Sequence, residues 1–259
     1  MDNSKRMKHH FERVASVYTH LRDTDPGVIE TIIPYLQIDR FKVDVADIAC
    51  GTGRYSKIIA AQLNLRLFCC DYSKEMLSEC NKLMSREFPS KHIYYCLASA
   101  DDLPFVNASM DVVTTFNAVH YFDLDRFCAA AGRVLRPGGL LIIYTRTPEQ
   151  NKRTVWGQHF PDFVKRETRL YRRERLEEAI NELPELHLEA VKEFRNVRAE
   201  SVDSLLNRVR NFHYSTFALY PADEFLQALD TFANRLGKLS NNGTIKHTSE
   251  NTMILARRI

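Results

Sequence analysis

Two periodicities alternate along the first half of the chain. Residues 42–48, 65–70, 92–98, 111–116 and 140–145 are short runs of aliphatic, aromatic and β-branched side chains, and they read as strands. Between them apolar residues recur at helical spacing. Residues 55–63 carry one apolar face. Ser73 is an N-cap candidate, followed by Met76, Leu77, Cys80 and Met84 on one face. Residues 124–135 place Phe127, Cys128, Ala131, Val134 and Leu135 together. Arg136-Pro-Gly-Gly139 then reads as a turn, because proline ends a helix and glycine accepts positive φ.

After residue 145 the pattern changes. Residues 146–173 are rich in arginine, aromatics and turn formers, and they suggest a cover of loops and short helices. A short helix is expected at 175–181, a strand at 186–197, amphipathic helices at 202–211 and 222–236, and a final strand at 252–258. No internal repeat and no low-complexity segment is visible.

Repeated strand–helix–strand units imply an α/β fold, a parallel sheet with right-handed crossovers and helices on both faces. Ligands of such sheets bind beyond the carboxyl ends of the strands, near the point where the strand order reverses. That directs attention to Asp47–Gly53, Asp71, Ser99–Asp102 and Asn117–Tyr121.

Composition narrows the class. Of 259 residues, 44% are hydrophobic and 27% charged, which excludes a disordered or fibrous chain. No apolar run approaches the roughly 18 residues of a membrane span. The polar N-terminus lacks the apolar core of a secretory signal. Six cysteines without a C-x-x-C pair, several inside apolar runs, read as reduced buried thiols in a cytoplasmic protein, and no metal site is expected. Net charge is +3, with nine basic against four acidic side chains between Arg146 and Arg175. Such a patch steers anions or nucleic acid, or is a solvated face.

The motif Asp47-Ile-Ala-Cys-Gly-Thr-Gly53 joins a strand to a helix through two glycines, and Asp71 stands at the end of the next strand. A carboxylate at that distance suits the hydroxyls of a ribose. The spacing alone also fits a dinucleotide site. Asp47 weighs against a pyrophosphate, which its charge would repel, and favours a cationic ligand. Alternatively, Asp47 only braces the loop.

Five ordered motifs over roughly residues 10–145 resemble the class I S-adenosylmethionine-dependent methyltransferases, in the group with small-molecule and ubiquinone-pathway enzymes. They are Phe11-x-x-Val-Ala-x-x-Tyr18, the glycine motif, Asp71-Tyr-Ser-x-x-Met-Leu77, Ser99-Ala-Asp-Asp-Leu-Pro-Phe105, and the pair formed by residues 111–117 and Arg133–Gly139. The resemblance implies a three-layer, Rossmann-like, seven-stranded sheet with an antiparallel last strand and a helical and loop substrate cover. It implies one domain over 1–259, with cover helices in 1–40, the cofactor-binding core in 41–145, and the substrate cover plus the last two strands in 146–259.

The same resemblance assigns roles. The backbone at Ala49, Gly51 and Gly53 would hold the methionine part of S-adenosylmethionine, and Asp71 its ribose. Tyr72 and Met76 would pack on adenine, and Ser99, Ala100 and Asp101 would line its edge. Asn117 would meet the ammonium, and Tyr18 would close over the cofactor. Two positions depart from the family: Ala49 replaces a glycine, a small change if φ there is negative, and Ser99 replaces Asp or Asn, a hydroxyl that still accepts a hydrogen bond. Met76 fits plain helix core equally well.

His120, past the fourth strand, is the candidate general base, or else a wall residue. Tyr121, Arg146, Trp156 and Tyr214 are candidate acceptor contacts; Trp156 and Phe160 also suit simple packing of the cover. The expected activity is methyl transfer to a small-molecule acceptor, with an anionic acceptor as one option, by in-line displacement, releasing S-adenosyl-L-homocysteine. An RNA (tRNA) methyltransferase, a non-catalytic binding module and an NAD enzyme are the alternatives. Neither nucleic acid nor membrane is the expected partner, and the chain is expected to be a monomer or homodimer.

Overall fold

Strands buried on both faces need side chains that tolerate no water on either side, and the centre of the sheet is built that way. In the computed structural model, every residue of β1 (Val43–Ile48) and β4 (Met110–Phe116) is buried. The structure describes residues 10–12, 14–16, 18, 22, 24–25, 27–36 and 43–259. β2 is Leu65–Asp71, β3 His92–Leu97, β5 Leu135–Thr145, β6 Leu186–Ser201 and β7 Thr244–Arg258. They form a seven-stranded sheet in the order β3-β2-β1-β4-β5-β7-β6.

The pairs β1–β2, β2–β3, β1–β4 and β4–β5 are parallel. Chain order runs outward in one direction from β1 to β3, and in the other from β4 to β5, beyond which β7 lies between β5 and β6. The reversal therefore falls between β1 and β4, where doubly wound sheets bind ligands at the strand tips. The helices Arg54–Gln62, Lys74–Glu87 and Leu124–Val134 make the crossovers. Ser73 caps the second of these through its hydroxyl, which accepts from Met76 N–H, as the pattern predicts.

The chain divides into two units, and β6 and β7 contribute residues to both. One unit comprises residues 23–145, 173–192 and 253–259, and holds the parallel strands. The other comprises 1–22, 146–172 and 193–252. The second unit has its own aromatic core, which includes Trp156, Phe160, Phe163, Phe217 and Phe232. Residues 148–166 fold as the three short helices Pro148–Arg153, Val155–His159 and Phe163–Arg166, the first two capped by the hydroxyls of Thr147 and Thr154. Much of the N-terminal cover expected within 1–40 lies outside the described residues.

Three strand boundaries differ most from expectation. The turn at Arg136–Gly139 is a bulge inside β5: β4 advances from Met110 to Val112 while β5 advances from Leu135 to Leu140, with Gly138 at φ +79°. β6 runs on to Ser201, and β7 begins at Thr244 rather than 252. The early part of β7, Thr-Ile-Lys-His-Thr-Ser-Glu, is mostly polar and only partly buried, so apolar runs did not mark it. Among the described residues no helix is long and apolar enough to cross a membrane.

Candidate active site

The tip of β1 turns into its helix through residues 49–53, and three of these have positive φ: Ala49 (+53°), Gly51 (+56°) and Gly53 (+82°). Gly53 N–H donates to Cys50 O at 3.0 Å and closes the turn. A side chain on Gly51 would meet nothing within 4 Å, so the outer face of the turn is open. Gly53 faces inward: a Cβ there would stand 2.7 Å from Cys80 Sγ. Ala49, expected to cost little if φ were negative, instead occupies the left-handed region and carries strain a glycine would not.

Asp71, at the tip of β2, holds this turn. Its Oδ2 accepts Gly51 N–H at 2.8 Å and its Oδ1 accepts Ser73 N–H at 2.9 Å. Burial pushes its carboxyl up to about 6, against the opposing pull of backbone donors at Ser73, Gly51 and Tyr72. An ionised carboxylate offers about four acceptor positions, so Asp71 retains capacity for a further hydroxyl.

Asp47 corrects the electrostatic argument made from sequence. It is 1% exposed, and its two oxygens accept the hydroxyls of Ser56 (2.5 Å) and Thr114 (2.9 Å). Burial raises its carboxyl to about 7. It is a brace between β1, β4 and the first crossover helix, not an outward-facing charge for a cation.

The remaining candidates of this unit sit at the neighbouring tips. Tyr72 is exposed and follows Asp71, whereas Met76 is 2% exposed on the inner face of its helix. Ser99 and Asp101 follow β3, with Asp101 N–H donating to Ser99 Oγ at 3.4 Å, and Ala100 lies between them half-buried. Asn117 follows β4 at φ +56°, its N–H bonded to Tyr144 O at 2.6 Å. Asparagine tolerates that conformation. His120 and Tyr121 lie in the short helix Val119–Tyr121, both half-buried, with ring centres 4.1 Å apart.

The other unit gathers Arg146 and Tyr214 around a histidine. Arg146 donates to Tyr214 Oη (2.9 Å), Ser249 Oγ (3.3 Å) and Glu250 O (3.3 Å). All three partners are neutral, and among the described residues Arg146 pairs with no carboxylate. The Arg22 guanidinium lies 4.3 Å from the Tyr214 ring centre and donates to His213 O at 3.2 Å. Burial opposes ionisation of Tyr214, but Arg146, Arg22 and Arg208 outweigh it and bring the phenol down to about 8. His213 Nδ1 is 2.9 Å from Arg208 O, and a carbonyl only accepts, so Nδ1 carries the proton. Nε2 is then a bare lone pair, buried and without a hydrogen-bond partner among the described residues. Burial and the nearby arginines hold this ring neutral. Trp156, 3% exposed, packs edge-on to His213 at 4.6 Å within the aromatic core. Tyr18 lies edge-on to Phe11 at 6.3 Å.

Sequence reasoning picked out Arg146 and Tyr214 but neither Arg22 nor the His213 tautomer. Arg22 and His213 are 191 residues apart, and their contact runs through a backbone carbonyl, which leaves no mark on spacing.

Comparison with known proteins agrees with this geometry. Residues 46–143 match the family described as a methyltransferase domain. The ubiquinone/menaquinone biosynthesis C-methyltransferase of Saccharophagus degradans is 30% identical over 159 residues, covering 58% of this chain and 63% of that protein. The first relatives matched are covered over only 30–63% of their own length. Among solved structures, the YcgJ protein of Bacillus subtilis superposes with TM-score 0.62 at 18% identity, covering 90% of this chain and 98% of that one. Geranyl diphosphate C-methyltransferase of Streptomyces coelicolor gives 0.57 at 16%, covering 90% and 76%. At these identities the structural likeness is one of fold.

Proposed function

We propose that this chain, whose residues 46–143 match the methyltransferase-domain family, is a class I S-adenosylmethionine-dependent enzyme that transfers a methyl group to a small-molecule acceptor. The observation that carries the reading is the Asp71 carboxylate bonded to Gly51 N–H across two adjacent strand tips, beneath an open face of the turn. The residues fit the cofactor. Asp71 has acceptor capacity left for ribose hydroxyls, and the backbone of Ala49, Gly51 and Gly53 can approach a ligand closely. Tyr72 offers an exposed ring for adenine, with Ser99, Ala100 and Asp101 as its edge. Asn117 is assigned to the ammonium and Tyr18 to closure over the cofactor.

When bound, S-adenosylmethionine supplies a methyl carbon made electrophilic by its sulfonium. The protein's part is to hold donor and acceptor in line and keep water away. His120 is assigned to accept a proton from the acceptor. Arg146 and Tyr214 are assigned to bind an acceptor that carries an anionic or hydroxyl group. The supporting observation is a guanidinium hydrogen-bonded only to neutral groups, beside a phenol whose ionisation it eases. Support for a reducing, cytosolic setting is that all six cysteines are free thiols.

Calorimetric titration with S-adenosylmethionine tests the reading. The wild-type chain is expected to bind, and Asp71→Ala and Gly51→Val to lose at least tenfold in affinity while keeping their far-ultraviolet circular dichroism. No binding by folded wild-type protein at millimolar cofactor would overturn it, as would unchanged affinity in both variants.

A further inference from the structure

Cys50, Cys69 and Cys80 come from three different elements, the β1 turn, β2 and the helix that follows β2, yet their Sγ atoms all lie within 4.8 Å of one another. Cys69 and Cys80 are fully buried, and Cys50 is half-buried at the end of the strand. Sequence spacing hides this group. The three positions are separated by a helix and a strand, and the sequence predicts reduced buried thiols with no metal site.

Sγ separations of no more than 4.8 Å admit a three-coordinate metal centre. A metal–sulfur bond of about 2.3 Å in a trigonal plane sets sulfurs about 4.0 Å apart, and larger soft ions set them slightly wider. Sulfur ligands reject magnesium and calcium, which take oxygen donors. Zinc takes four ligands in structural sites, and among the described residues no fourth histidine, cysteine or carboxylate joins the group. Two fully buried sulfurs leave little room for water to complete a tetrahedron. A soft d10 cation content with three thiolates is the ligand chemistry that fits.

We propose that Cys50, Cys69 and Cys80 form a binding site for one thiophilic d10 cation, of the copper(I), cadmium(II) or mercury(II) class. On binding, three S–H bonds break and three metal–sulfur bonds form. The protons pass to the buffer and no electrons move. Cys50 is the point of entry, because it alone of the three is not fully buried. The site underlies the glycine turn: Cys50 is part of that turn, and Cys80 Sγ fills the space against Gly53.

The experiment is titration of the reduced full-length chain with cadmium(II), without oxygen or cofactor. It follows the ultraviolet cadmium–thiolate charge-transfer band and proton release. One equivalent is expected to saturate the band and release about three protons. Cys50→Ser, the variant least able to disturb the core, is expected to weaken binding at least tenfold, and Cys69→Ser and Cys80→Ser to do the same if they fold. Cys128→Ser is expected to titrate like wild type, and so is Cys96→Ser, whose sulfur belongs to the neighbouring cross-strand pair with Cys70. A band that survives Cys50→Ser unchanged, or one lost in Cys96→Ser, overturns the proposal. The readout contains no S-adenosylmethionine, so failure here leaves the methyltransferase reading standing, and the reverse.

Discussion

At the scale of single residues, Asp47 shows how a motif position can be conspicuous for one reason and used for another. Its carboxyl is raised from an ordinary 3.8 to about 7, so the folded state holds the proton more tightly than the unfolded chain. The stabilising contribution is complete below about pH 4 and is lost as pH climbs through 7. The full shift corresponds to about 4 kcal/mol at most. Asp47→Asn keeps hydrogen-bonding reach to Ser56 and Thr114 but cannot ionise. The wild type should therefore lose ground to this variant between pH 5 and pH 7.5, by roughly 5–10 °C in midpoint. Thermal melts of both proteins across that range check it. Asp71, shifted the same way to about 6, is present in both and cancels. A pH-independent difference would show that Asp47 stays ionised in the fold. Sequence placed Asp47 correctly at the strand tip, but whether its oxygens face a ligand or Ser56 and Thr114 is a matter of side-chain direction, and the motif is silent on that.

Elements are where the sequence was most legible. The central strands β1 and β4 were marked by β-branched and apolar residues, because burial on both faces demands them, with Asp44, Asp47 and Asp111 as buried exceptions. Polar strands such as the first half of β7 were not, since their residues satisfy the ladder without an apolar pattern. The turn from β1 tests the conformational argument directly. Ala49 and Gly53 share positive φ but not surroundings. Ala49→Gly should stabilise by about 0.5–1 kcal/mol, by removing a left-handed Cβ at a modest cost in chain entropy. Gly53→Ala adds the same strain and drives a Cβ into the Cys80 sulfur, so it should cost roughly 2–4 kcal/mol. Urea unfolding with linear extrapolation measures both. The reverse order of stabilities would mean that the turn does not hold this backbone in solution.

Charge belongs to the whole molecule, and there the basic segment between Arg146 and Arg175 changes meaning once its partners are visible. Arg153 pairs with Glu250, Lys165 with Asp162, Arg166 with Glu224, Arg169 with Glu167, Arg173 with Glu177 and Arg175 with Asp125. Several of these carboxylates lie far away in sequence, so a local count of charges could not foresee the neutralisation. Among the described residues, Arg146, Lys152 and Arg172 are the members of the segment that pair with no carboxylate. A nucleic-acid surface would need its cations free for phosphate, and each phosphate neutralised contributes about −0.9 to the slope of log affinity against log salt. Three cations with no carboxylate partner among the described residues limit this segment to a slope no steeper than about −3, with binding no tighter than the roughly 10⁻⁴–10⁻⁶ M of non-specific contact. Fluorescence anisotropy with a labelled RNA hairpin between 50 and 200 mM salt reads both quantities. A slope near −8 would mean that the six ion pairs open onto phosphate, and the small-molecule reading would give way to an RNA acceptor. A shallow slope with weak binding leaves the proposed small-molecule acceptor standing, with Arg146, held by neutral groups beside Tyr214, as its proposed cation.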